Sequence, residues 1–191
     1  MIRHLIVRIT HGVARRLGHP GRRWAWNFLF RRGPSFSLDR SPVTVELVEK
    51  LARQGIVVEL ACGDGMLSRR IASSSYSAYR GYDISDTAID RARSFANEKC
   101  EFFVCDMMDW REQGKVDLIV IEEALYYLAR GQQRRLLRRC ADALNSGGRI
   151  LVIVHSEERH ADTIGTCGEV LAVDYIVNEG DRRHLILRPR D

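Results

Sequence analysis

Nowhere in this 191-residue chain does an apolar run approach the roughly twenty residues needed to cross a bilayer, so no transmembrane helix is expected. The five cysteines, at positions 62, 100, 105, 140 and 167, form no CxxC pair and no even-numbered disulfide framework. They read as reduced thiols of a cytoplasmic protein, packed in its core, and no metal site is expected. Internal repeats and low-complexity segments are missing as well. Acids are missing from the first 38 residues, which hold eight arginines and three histidines, whereas the chain from Asp39 onward is slightly acidic. The formal charge of +5 therefore belongs to an N-terminal arm. The length suits one globular domain with one sizeable core, not two. We divide the chain into a basic helical arm over 1–40 and a domain over 41–191.

In the arm, Ile2, Leu5, Ile6, Ile9, Val13 and Leu17 recur at helical spacing with arginines elsewhere on the wheel, the pattern of a basic amphipathic helix. Gly18-His-Pro-Gly21 should stop it, and the stretch RRWAWNFLFRRG then sets Trp24, Trp26, Phe28 and Phe30 between two arginine pairs, as a second, separately anchored segment. Such an arm has three readings: a cap packed on the domain that walls a substrate pocket, a peripheral contact of residues 1–33 with an anionic membrane, or an RNA-binding segment. We take the cap, since a stripe of aliphatic residues and an aromatic cluster are rarely left in water. An organellar transit peptide is a poorer match, because serines are few and the arm runs straight into the domain.

From Ser41 the pattern becomes regular. Ser41 as N-cap and Pro42 at the first helical position open a helix that should end at Gly55, followed by a buried strand over 56–60. Helix 66–73, strand 79–83, helix 86–97, strands 101–104 and 117–121, helix 131–144, strand 149–154 and a short helix continue the alternation. Two extended runs about Asn178-Glu-Gly-Asp181 then close the chain as an antiparallel hairpin. The expected fold is α/β: a Rossmann-like, doubly wound, mostly parallel seven-stranded sheet with a C-terminal antiparallel hairpin.

A doubly wound sheet binds its ligand at the carboxyl ends of the strands, which directs attention to the turns at 61–65, 83–85, 105–108, 122–127 and 155–160. Gly63 and Gly65 let the first turn bend sharply, and Asp83 closes the second strand, where an acid accepts both hydroxyls of a ribose. Charge then separates two cofactors. A dinucleotide would lay its pyrophosphate on the start of helix 66–73, but Asp64 stands there, Glu59 lies beneath, and Ser68 replaces the third glycine of the dinucleotide pattern. A cationic nucleoside without phosphate, S-adenosylmethionine, is attracted by the same acids.

Residues 56–154 resemble, motif by motif, the class I S-adenosylmethionine-dependent methyltransferases. ELACGDG is similar to the family's first motif, with Ala61 in place of its first glycine. The resemblance implies that Glu59 reaches the methionyl ammonium, that the backbone of Ala61, Cys62, Gly63 and Gly65 contacts the methionine moiety, and that Asp83 holds the ribose with Ile84 against the adenine. It further implies that Asp106 in VCDMMDW receives the adenine amino group beside Met107, and that Glu122 in DLIVIEEALYYL contacts the cofactor. EEALYYL followed by SGGRILVIVH also resembles the nodulation N-methyltransferases, which act on an amino sugar.

Methyl transfer needs alignment above all, and a base only where the acceptor has a proton to lose. Glu123 and His155, after the fourth and fifth strands, are the candidate bases, and Tyr126 is a candidate to face the sulfonium or an amine through its ring. Cys62 lacks a partnering base and fills space, and Asp117 reads as a cap or surface acid. The expected activity is methyl transfer from S-adenosylmethionine to an amine or hydroxyl of a small molecule or sugar. A nucleic-acid methyltransferase using the arm, or a non-catalytic nucleotide-binding module, are the alternatives, and nucleic acid is the less expected partner.

Overall fold

The computed structural model describes residues 19–31 and 41–190. The amphipathic helix expected over Ile2 to Leu17 lies outside them. The first described element, α1 (His19–Arg31), takes His19, Pro20 and Gly21 into its first turn, and the helix that Gly18-His-Pro-Gly21 was expected to stop lies outside the described residues. Proline is tolerated there, because an amide at that position has no intrahelical acceptor to lose.

Ser41 caps α2 (Pro42–Ala52), its Oγ accepting from the amides of Val43 at 3.0 Å and Thr44 at 3.3 Å. The helix ends in left-handed backbone at Arg53 and Gln54, shortly before the expected Gly55. The strands are β1 (Ile56–Leu60), β2 (Ala78–Asp83), β3 (Cys100–Val104), β4 (Val116–Glu122), β5 (Leu144–His155), β6 (Ala172–Glu179) and β7 (Arg182–Arg188). Between them run α3 (Asp86–Ala92), α4 (Arg130–Ala143) and α5 (Glu157–Val170). All seven strands join one sheet in the order β3-β2-β1-β4-β5-β7-β6, with β7 antiparallel to both its neighbours and the other pairings parallel. Strand order reverses between β1 and β4, so the crevice for a ligand opens above that pair.

Both faces of the central strands are buried, which explains their unbroken apolar runs. Val58, Leu60, Ile119, Ile121 and Val152 pack toward Leu136, Leu137 and Cys140 of α4. Val57, Leu118, Val120 and Ile153 pack on the opposite face with Leu47, Val48 and Leu51 of α2 and Ile89 of α3.

Four expected elements differ. No helix forms over 66–73: the chain passes through successive turns, and the Ser68 hydroxyl donates to the Gly65 carbonyl at 2.8 Å. That local bond competes with helix formation while Leu67 and Ile71 still reach the core. The helix expected over 86–97 stops as α3 at Ala92 and continues only as a 3-10 turn, Arg93–Phe95. The short helix after β5 is the 14-residue α5, kinked at His160 (φ −123, ψ 22). The fifth strand also begins earlier than 149, at Leu144, with a turn at Gly147 (φ +80) near its start.

At the lower edge of the sheet, Asp117 accepts from the Ile56 amide at 2.7 Å and from the Asn145 side-chain amide at 2.8 Å, away from the strand ends that matter for binding. It is a structural tie between β1, β4 and the start of β5. Asp117→Ala should therefore cost about 2 kcal/mol in urea denaturation, because a charged acceptor is lost from two donors, and should leave nucleoside affinity unchanged.

Candidate active site

Three residues of the first turn take left-handed backbone: Ala61 (φ +61), Gly63 (φ +59) and Gly65 (φ +76). Gly65 is required twice over, since a Cβ there would stand 3.0 Å from both Ala92 Cβ and the Phe102 ring. Ala61 adopts the same region despite its Cβ, at a strain cost of order 1 kcal/mol. The Cys62 amide donates to the Tyr82 carbonyl at 3.0 Å, while its thiol is wholly buried beside Gly81, so only the backbone of Cys62 faces the turn's open side. Glu59 is also wholly buried and accepts a hydrogen bond from the Tyr79 hydroxyl. Its carboxylate lies in β1, two residues before the turn.

Asp83 ties the first two turns together. One carboxylate oxygen accepts from the Gly63 amide at 2.9 Å and the other from the Ser85 amide at 2.8 Å. Burial pushes its carboxyl from 3.8 up to about 6; the two backbone hydrogen bonds act against that rise, and Asp64 and Asp106 add to it. Because the folded value lies above the unfolded one, this group's contribution to stability is present below the unfolded value and is lost as pH rises through about 6. Ionised Asp83 thus opposes folding at neutral pH, and a ligand donating hydrogen bonds to it would offset that cost.

Asp106, after β3, accepts from the Met108 amide at 2.9 Å and from the Arg22 guanidinium at 2.7 Å. Ile84 and Met107 are half-buried beside these two acids. Arg22 belongs to α1, and that helix touches the neighbouring turns too. Asn27 Oδ1 accepts from the Ser85 hydroxyl at 2.6 Å, Arg23 pairs with Asp86 at 2.9 Å, and the Phe30 ring lies 3.5 Å from where a Cβ on Gly63 would stand.

On the β4 side, Glu122 is nearly buried, and Glu123 sits in left-handed backbone (φ +52) with its carboxylate 3.4 Å from Arg182 Nε. The 3-10 turn Leu125–Tyr127 follows. Tyr126 lies flat on His160, with centroids 3.9 Å apart and planes within 8°, and contacts Tyr127 at 4.7 Å. Trp26 of α1 meets Tyr127 edge-on at 5.2 Å. Burial, with Tyr127 and Glu123 adding to it, drives the Tyr126 phenol far above its ordinary value, so it keeps its proton. His155 ends β5 exposed to solvent.

The structure therefore gathers Asp83, Asp106, Ile84 and Met107 with the 61–65 turn on one side of the switch point, and Glu122, Glu123 and Tyr126 on the other. Arg22, Asn27 and His160 were not legible as site residues. Trp26 was visible only as part of an aromatic cluster.

A carboxylate offers about four lone-pair directions, of which Asp83 has committed two, leaving two for a vicinal diol. Residues 66–73 offer no helix start to a phosphate, and Asp64, Asp83 and Asp106 crowd the same crevice, so a phosphate-free nucleoside fits and a pyrophosphate does not. The fold is that of the class I α/β methyltransferases. Residues 57–148 match the methyltransferase-domain family: the chain carries a class I S-adenosylmethionine-dependent methyltransferase domain, and S-adenosylmethionine is its cofactor.

Among solved structures, the chain is similar to the N-methyltransferase NodS from Bradyrhizobium japonicum WM9 in complex with S-adenosyl-l-homocysteine, at 19% identity and TM-score 0.69, covering 87% of this chain and 99% of that one. It is also similar to the PH0226 protein from Pyrococcus horikoshii OT3 (15%, TM-score 0.71, 85% and 98%). A third likeness is the O-methyltransferase NcsB1 from neocarzinostatin biosynthesis, in complex with S-adenosylmethionine and 2-hydroxy-5-methyl naphthoic acid (18%, TM-score 0.61, 73% and 50%). At such identities these likenesses speak for the fold. No curated protein matches the chain in sequence.

The Arg22–Asp106 pair is largely buried, with side chains 16% and 4% exposed. Arg22→Ala removes this cation from beside a buried acid, and should destabilise the protein by up to about 3 kcal/mol in urea denaturation, with Arg22→Lys recovering part of the loss.

Proposed function

We propose that the domain methylates an amine or hydroxyl of a small molecule or sugar, and that Asp83 holds the cofactor's ribose. The observation that carries this reading is the half-committed carboxylate of Asp83, fixed between two turns by two backbone amides. Around it, Ile84 and Met107 flank the adenine, Asp106 receives the adenine amino group, and the backbone of Ala61, Cys62, Gly63 and Gly65 follows the methionine moiety. Glu122 contacts the cofactor from the end of β4, and Glu59 lends the turn negative charge from beneath. Bound there, S-adenosylmethionine supplies an electrophilic methyl group, whose carbon–sulfur bond breaks toward sulfur as the acceptor's lone pair bonds to carbon.

Residues 1–40 serve as the cap, with α1 as the wall of the pocket. Arg22 and Arg23 are spent on Asp106 and Asp86, which takes two charges from any contact with nucleic acid. Support for a small acceptor comes from NodS and NcsB1, the latter with a naphthoic acid. All five cysteines are free, in keeping with a cytoplasmic protein, and among the described residues no helix is long and apolar enough to cross a membrane.

Calorimetry checks the site directly. S-adenosylhomocysteine should bind in the micromolar range and NAD should not; the reverse result would remove the reading. Asp83→Ala should weaken nucleoside binding about ten- to a hundredfold through loss of an ionised acceptor. Binding favours ionised Asp83, so its pKa falls in the complex, and affinity is full above about 6 and declines below it. From pH 7 to pH 5 the loss should be about tenfold, and Asp83→Asn should abolish that dependence.

A further inference from the structure

Four rings stand in one row on the β4 side of the crevice: Trp26 from α1, Tyr127 and Tyr126 from the turn after β4, and His160 from the kink in α5. Successive centroids lie 5.2, 4.7 and 3.9 Å apart. No two of the three contributing elements are adjacent in the chain, and the row begins on the helix that also reaches Asp106, Ser85 and the Gly63 turn. Resting on the reading that Asp83 holds the ribose, the nucleoside lies toward β2 and β3, and the methionine end, following the 61–65 backbone, points toward β4. The transferred methyl group then emerges against this row.

We propose that the ring row is the acceptor site and that it selects a basic amine, with Trp26 as a specificity-determining residue. Three observations favour nitrogen. Ring faces attract positive charge, and Glu122, close enough to act on Tyr126, adds negative charge, while that of Glu123 is partly answered by Arg182. A hydroxyl acceptor needs a base to take its proton during attack, yet the two candidate bases suit that task poorly: Glu123 is engaged by Arg182, and His155 points into solvent. A neutral amine, having shed its solution proton to water, needs no base in the step itself. Its lone pair forms the bond to carbon, and the positive charge leaves sulfur and appears on nitrogen as a methylammonium. The rings face a cation before and after transfer.

The probe is the analogue of S-adenosylhomocysteine that carries a primary amine where the transferred methyl group would be, compared with S-adenosylhomocysteine itself by calorimetry on the full chain. The amine analogue should bind roughly three- to thirtyfold more tightly, the range of a cation held against desolvated rings. Trp26→Leu and Tyr127→Leu should bring that ratio close to one, and Trp26→Phe, which keeps a ring, should retain most of it. Using the ratio cancels any general loosening of α1. A ratio near one in the parent protein, or a ratio unchanged in both leucine variants, would overturn the proposal while leaving the cofactor site standing. If neither nucleoside binds, the Asp83 reading fails and the proposal goes with it.

Discussion

The carboxylate of Asp83 is the joint on which the site is hung. Its two oxygens hold the amides of Gly63 and Ser85, so the turn after β1 and the turn after β2 cannot move apart without stranding a buried acid. The arrangement opposes itself in a useful way. Burial and two neighbouring acids make the ionised form costly, which is why the group titrates near 6, and the same ionised form is what accepts hydroxyl donors. A site held at a cost to the fold is relieved by its ligand, so binding and order of the two turns reinforce one another.

The same reasoning extends to α1. Four of its side chains reach three of the strand-end turns: Arg22 to Asp106, Arg23 and Asn27 to the Asp83–Thr87 segment, and Phe30 to Gly63. Trp26 reaches a fourth. Arginine is well suited to the first of these, because its planar fork satisfies a buried carboxylate while its stem packs on apolar neighbours. Trp24 remains the contrast, two-thirds exposed and stacked on Phe28 on the helix's outer side.

Much of this was legible in the sequence, for reasons that can be named. Strand positions followed from apolar runs bounded by glycine and acid, and α2 from a serine cap followed by proline, because those signals act within a few residues. That no helix forms over 66–73 was not legible, since a serine hydroxyl bonding back to Gly65 decides against it and no periodicity records that bond. Without that helix a dinucleotide loses its phosphate seat, and the acids around the turn still repel a pyrophosphate. Glu59 stood out as a ligand group through the motif, but its burial under the turn depends on Tyr79, twenty residues away in the chain. Arg22, Asn27 and His160 were invisible for the same reason: their partners lie 84, 58 and 34 residues away, and only the closed sheet brings them together.

Charge placement supplies the remaining link between the two halves of the crevice. On the β2 and β3 side, acids collect where the proposed nucleoside, which bears no phosphate, would lie; on the β4 side, rings and two glutamates collect where the methyl group would be delivered. Both halves favour positive charge, yet three of the acids are restrained: Asp83 by two amides, Asp106 by Arg22, Glu123 by Arg182. Fixed dipoles and restrained acids need little reorganisation as charge moves from sulfur to an acceptor a few ångströms away, whereas mobile acids would follow the charge and resist its transfer. A methyltransferase that works by alignment requires that restraint, and in this chain the N-terminal helix supplies part of it, through Arg22.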